Sequence, residues 1–137
     1  MIDVTEYIGL PFESGGRGPR YDCWGICRRV YADHLGIHLP SHTGYADTLT
    51  DETSRLMISA RSEWREVTDP APYDVVMFNV DGKPNHIGLV IAPGLMLHTT
   101  RHKDACIESF TAPQWRDRLE GIYRYDHDCR PPEPGTE

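Results

Sequence analysis

Three side chains in this sequence have both the type and the placement that nucleophilic catalysis by a thiol requires: Cys23, His86 and His98. Cys23 follows Asp22, a good helix cap, and so falls in the first turn of a helix. Unpaired backbone N–H groups and the helix dipole favour a thiolate there. The dipole contributes ~0.3–1 kcal/mol, rarely ~2, and one pKa unit is about 1.36 kcal/mol, so the helix alone lowers a thiol pKa of ~8.5 by about one unit or slightly more at best. A working nucleophile needs a histidine as well. His86 and His98 bracket the run NHIGLVIAPGLMLHTT, centred on Pro93-Gly94, which reads as a hairpin. The competing reading makes Cys23 a small buried apolar residue and both histidines incidental.

The hairpin's register decides whether the histidines cooperate, because neighbouring strand positions face opposite sides. A two-residue turn would pair positions summing to 187 and separate the rings. Such turns need positive φ at the first central residue, which Pro93 lacks. An odd-length loop or a bulge at Pro93 makes the sum even and puts both rings on one face. With a sum of 186 they are diagonal neighbours, and Gly88 on that face leaves room for the Cys23 helix.

Other elements follow from pattern. Met1 to Leu10 reads as a short helix capped by Asp3, and FESGGRGPR as a loop. Cys23 to Leu35 is a helix stopped by Gly36, with Cys23, Cys27, Val30, Tyr31 and Leu35 as its apolar stripe. Asp51 to about Ala60 is a second helix. Strands are expected at Trp64–Val67, Asp74–Val80, His86–Ile91, Leu95–Thr99, Ala105–Phe110 and Gly121–Tyr125, with a brief helix at Pro113–Leu119. Helices first and an antiparallel sheet afterwards predict an α+β fold. One domain is expected over residues 1–128, with an extended Pro-rich tail over 129–137.

Several motifs in this order resemble those of the NlpC-type peptidoglycan peptidases, a papain-like cysteine enzyme family. YDCWG is similar to the family's nucleophile motif, and NHIGLVI followed by LMLHTT to its two-histidine block. PYDVVMF resembles the preceding Pro-Gly-Asp strand, with Tyr73 in place of glycine. GLPFESGG resembles the entrance loop, with Phe12 in place of a tyrosine whose hydroxyl assists the oxyanion. The resemblance implies Cys23 as nucleophile, His86 as general base and His98 as the member that orients it. It implies a substrate-facing role for Asp22, Trp24, Phe12 and Tyr21, with Tyr21 a candidate substitute for the missing hydroxyl, although Asp22 is equally explained as a helix cap. It implies cleavage of a stem peptide, at a D-glutamyl–diamino acid bond, with no cofactor. The YDCWG form with its GGRGP loop is similar to a branch carried in tails of phages and gene transfer agents. That implies other tail-tip and baseplate hub proteins as partners. Two alternatives stand beside this reading. One is a tail plug or hub adaptor that has lost turnover, favoured by Phe12; the other is an amidase or acyltransferase on the same scaffold.

Composition narrows the rest. The chain has 137 residues, 39% hydrophobic and 26% charged, which suits one globular domain. Fourteen basic against 21 acidic residues give a net charge of -7, which repels phosphate backbones and argues against nucleic acid as partner. Ile87 to Leu97, interrupted by Gly88, Pro93 and Gly94, is far short of the ~20 residues that span a bilayer, so no membrane insertion is expected. The opening MIDVTEYIGL has no base before Arg17, unlike a secretory signal. The expectation is a protein made in a host cytoplasm without a signal peptide, carried in a phage-like particle and acting in the wall or periplasm of a target cell. Four cysteines, Cys23, Cys27, Cys106 and Cys129, are then expected to stay reduced. No metal site is expected. Cys23 and Cys27 lack a second pair, and Gly36 and Pro40 break the helix that would align His34, His38 and His42. His98 and His102 share that spacing but sit on a strand and its exit loop.

Overall fold

The computed structural model describes residues 1–13, 16, 18–39, 64–80 and 83–125. Helix α1 spans Cys23–Val30 and runs into one π-helical turn, Tyr31–Leu35. Gly36 ends it at φ 66, a left-handed conformation that favours glycine. Six strands follow among the described residues: β1 (Trp64–Val67), β2 (Val75–Val80), β3 (Lys83–Ala92), β4 (Leu95–Thr100), β5 (Lys103–Ser109) and β6 (Leu119–Tyr125). A single turn of helix, α2 (Pro113–Arg116), lies between β5 and β6. The strands form one antiparallel sheet in the order β1-β6-β2-β3-β4-β5. This is the α+β architecture expected from the pattern.

Alternation along the strands builds two cores. Val75, Met77, Ile87, Leu89, Ile91 and Leu97 pack with Cys23, Cys27, Val30 and Tyr31 of the helical segment. Val76, Phe78, Val90 and Met96, of opposite parity, pack with Phe110 and Trp115 on the other face. The sheet is therefore covered by α1 on one side and α2 on the other.

The expected helix at Met1 to Leu10 shrinks to a single turn, Thr5–Tyr7, entered where Asp3 accepts from the Thr5 N–H at 3.0 Å. The sheet claims the rest of that backbone. Ile2 N donates to Ile91 O at 3.0 Å, Gly9 N donates to Ala105 O at 2.8 Å, and Ala105 N donates to Leu10 O at 3.0 Å. The β-branched Ile2 accepts such extended geometry readily. The expected helix from Asp51 to about Ala60, Cys129 and the Pro-rich tail all lie outside the described residues.

Candidate active site

Cys23 opens α1 as expected. Asp22 stays extended before it, and its side chain accepts from the Gly25 N–H at 2.7 Å. Gly25 is required by a close approach: a Cβ there would lie 2.2 Å from the Gly16 carbonyl oxygen and 3.1 Å from the Asp22 carboxylate. The entrance loop is thus pressed onto the first turn of α1, and Gly16 O also accepts from Asp22 N at 3.3 Å. Pro11 O accepts from Tyr21 N at 2.9 Å, while Leu10 and Gly9 pair with Ala105 at the start of β5. The start of α1 is therefore tied to the end of the sheet where β3 begins and β4 ends. His86 and His98 lie at that same end.

The β3–β4 register brings the histidines together. Leu89 pairs with Leu97 and Val90 with Met96, a sum of 186, and the register slips only between Val90 and Ala92. A bulge beside Pro93 thus accompanies the tight turn, which is the even-sum alternative. His86 Nε2 and His98 Nδ1 are 3.0 Å apart. One part of the expectation is corrected. Gly88 does not make room for α1; a Cβ there would meet Met96 Sδ at 2.4 Å, in the core on the opposite face. His86 shares that parity and stacks on Trp115, with ring centroids 5.2 Å apart and planes at 23°.

The relay extends one residue further. His98 Nε2 lies 2.8 Å from Glu108 Oε1, and Trp115 Nε1 donates to Glu108 Oε2 at 3.0 Å. Lys103 Nζ adds a third bond at 3.2 Å. Burial pushes the Glu108 carboxyl up, but the bonds from Trp115, His98 and Lys103 together outweigh it and hold the pKa at about 2. Burial, with His98 alongside, lowers His86 to about 3. Burial also lowers His98, against the pull of Glu108. Both rings are therefore neutral at pH 7.

Ionised Glu108 has only acceptors, so His98 Nε2 carries a proton. The neutral His98 then presents a lone pair at Nδ1, and the 3.0 Å contact is donated by His86 Nε2. This leaves the basic lone pair of His86 on Nδ1. Neither Glu108 nor Trp115 was singled out from the sequence. The available signal was the alternation of Ala105–Phe110, which puts Cys106 and Glu108 on one face beside His98.

The family model for "NlpC/P60 family" matches residues 9–124. The chain belongs to the NlpC/P60 family. Among curated relatives, it is 27% identical over 134 residues to a gamma-DL-glutamyl hydrolase of Bacillus subtilis, covering 91% of this chain and 28% of that protein. It is 22% identical over 125 residues to the murein DD-endopeptidase MepS/murein LD-carboxypeptidase of Escherichia coli K12, covering 90% and 60%. The chain thus spans less than two thirds of either. Among solved structures, a lipoprotein-like NLP/P60 protein of Staphylococcus aureus Mu50 superposes with a TM-score of 0.67 at 20% identity, over 90% of this chain and 39% of that one. The NlpC/p60 domain of the peptidoglycan hydrolase SagA gives 0.61 at 20%, over 87% and 90%.

Two departures from the NlpC/P60 pattern acquire a structural reading. Tyr73 stands where the family motif carries glycine, and its φ of 75 is a conformation that glycine adopts freely. The surroundings hold it: Tyr73 N donates to Val90 O at 2.9 Å, Tyr31 Oη donates to Tyr73 O, and His34 Nδ1 lies 3.0 Å from Tyr73 Oη. Phe12, half-buried, bridges Tyr21 through the backbone. The Tyr21 hydroxyl is engaged by Arg29 Nη1 at 2.6 Å. Asp22 and Trp24 are 0% and 1% exposed, so they offer a ligand almost no surface.

Proposed function

We propose that this chain is a cysteine peptidase acting on peptidoglycan stem peptides, with Cys23 as nucleophile, His86 as general base and His98 as the orienting member. The observation that carries this reading is the Glu108–His98–His86 chain, whose proton pattern leaves a lone pair on His86 Nδ1. Cys23 would approach that nitrogen round the end of β3, since the body of α1 lies on the other face. In the reaction, the Cys23 thiol proton passes to Nδ1 while sulfur attacks the scissile carbonyl carbon. The Cys23 backbone N–H, in the first turn of the helix, supports the oxyanion. Collapse expels the amine, which takes the proton from His86, and water then hydrolyses the thioester with His86 again as base. Burial holds His86 well below the ordinary imidazole range, so it is neutral at rest and able to accept the thiol proton.

The murein endopeptidase relative supports a peptide bond of the wall, and the gamma-DL-glutamyl hydrolase supports one at a glutamyl residue, in keeping with a D-glutamyl–diamino acid bond. The YDCWG form and its preceding loop support carriage in a phage-like tail tip, with hub proteins as neighbours. A second reading, a structural plug without turnover, is favoured by Phe12, which cannot donate to the oxyanion; losing one such donor costs ~10²–10³ in rate. Digestion of purified wall sacculi by the protein and by its Cys23→Ala variant, read by mass spectrometry, separates these. Products ending at D-glutamate, absent with C23A, are expected. Cleavage at the sugar-linked alanine would make it an amidase, and no products from either protein would favour the plug.

A further inference from the structure

Behind the histidine pair, the fold assembles three groups of a different chemistry. Cys106 lies directly across from His98 in the β4–β5 ladder, and Glu108 is two residues further along the same face. A ring nitrogen of His98, Cys106 Sγ and a Glu108 carboxylate oxygen all lie within 4.8 Å of one another, and the nitrogen that faces Glu108 is His98 Nε2, at 2.8 Å. We propose that these three residues form a site for a thiophilic divalent cation of the zinc type, and that filling it switches the His86 base off.

The donor set selects the ion. Thiolate, imidazole and carboxylate together suit zinc and its neighbours, whereas calcium and magnesium take oxygen. Three protein ligands leave a fourth position for water, and the partial exposure of Cys106 and Glu108 gives the ion a way in. Ligand bonds of ~2.0–2.3 Å set neighbouring donors of a tetrahedral zinc about 3.3–3.8 Å apart. The 2.8 Å His98–Glu108 contact must therefore open slightly and Cys106 must swing inward, both within side-chain rotation. Thiolate and carboxylate neutralise the ion's two charges. The ammonium of Lys103, which competes for Glu108, is 54% exposed and is free to turn into water.

The switch follows from counting protons. Without the ion, His86 and His98 each carry one proton on Nε2. Coordination needs the lone pair of His98 Nε2, so its proton must sit on Nδ1 instead. That Nδ1–H now donates to His86 Nε2, reversing the 3.0 Å bond, and the single proton of His86 moves to Nδ1. No proton leaves the two rings. The Cys106 thiol alone releases one to solvent as it becomes a thiolate. His86 then presents an N–H where it needs a lone pair. This second half rests on the peptidase reading, whereas binding of the ion does not.

Titration of the full chain with Co²⁺ as the probe, followed by displacement with Zn²⁺, tests both halves. The Cys23→Ala protein should bind one Co²⁺ with a sulfur-to-metal charge-transfer band, which C23A,C106S should lose. The loss in affinity should exceed the ~10–100-fold that outer-shell partners cost. Lys103→Gln should tighten binding severalfold by removing a like charge. A band that persists in C23A,C106S, or that C23A lacks, overturns the site. With Cys23 present, zinc should suppress sacculus digestion, and Cys106→Ser should relieve the suppression when each protein is scaled to its own metal-free rate. Binding at Cys106 with zinc-insensitive digestion would overturn the switch and keep the site. Binding without any digestion would leave the site standing and refute the peptidase reading.

Discussion

A carboxylate that accepts from His98 Nε2 and Trp115 Nε1 at once allows the neutral imidazole pair only one proton arrangement. Glu108→Gln keeps the shape but presents an NH₂ on one side and removes the charge that favours an imidazolium two residues away. Turnover should fall ~10–100-fold, as for other supporting partners of a functional histidine, with KM little changed. A steady-state assay on a stem-peptide substrate checks this; lower stability at unchanged kcat would assign Glu108 to the fold alone. The thiols give a second test. Cys27 is buried, and burial followed by the neighbouring Cys23 pushes its thiol far up. Burial and Glu108 raise Cys106 as well, yet Cys106 is the most exposed of the three. Alkylation at neutral pH with peptide mapping should label Cys23 first, and His86→Gln should slow that site alone. Labelling of Cys106 first would show that exposure, not activation, orders the reactivity. Cys23, His86 and His98 could be proposed from the sequence because each sits in a local motif. Glu108 and Trp115 could not, because their contacts with the histidines run between elements and no spacing along the chain records them.

At the scale of elements, period-2 alternation located all six strands within a few residues, and the Asp22 cap and Gly36 stop located α1 with its π-helical extension. The amino-terminal segment was misjudged because its hydrogen-bond partners, Ile91 and Ala105, are distant in sequence. The hairpin register was legible from Pro93 alone, since a residue with fixed negative φ forces the slip that the structure shows. What holds the nucleophile's turn was not legible, because it depends on Gly16 and Gly25 touching across a loop. Gly25→Ala puts a Cβ against a backbone oxygen at 2.2 Å, where neither partner yields easily. Overpacking of this kind costs ~1–3 kcal/mol, and here it also disturbs the Asp22 cap. Gly88→Ala meets Met96 Sδ at 2.4 Å, the far part of a flexible side chain. Urea melts should therefore show G25A destabilised more than G88A, with turnover reduced in G25A beyond the loss of folded protein. Equal destabilisation would mean that the entrance loop yields freely.

For the molecule as a whole, placing two neutral imidazoles and an ionised carboxylate inside the sheet's second face couples folding to pH. His86 titrates at about 3 in the fold against an ordinary 6.5, and His98 is shifted the same way. Between those limits the unfolded chain binds protons that the folded chain refuses, so stability falls as pH drops below about 6.5. Each such group contributes up to ~1.4 kcal/mol per pH unit. Glu108 has its ionised form stabilised, from an ordinary 4.5 to about 2. Its contribution is complete above 4.5 and drains away as pH falls through 2, so it steepens the same decline at the acid end. Net charge works in the opposite sense at first, because the chain's excess of acids is being neutralised, which isolates the decline as a property of the buried groups. The urea midpoint should therefore drop between pH 7 and pH 4.5 in the native protein. His86→Gln, which has no proton to refuse, should show a slope shallower by up to one proton's worth, so that the two curves draw together as the solution is acidified. Parallel curves would mean that His86 takes up its proton without unfolding, and that the relay accommodates a charged imidazolium in the resting state.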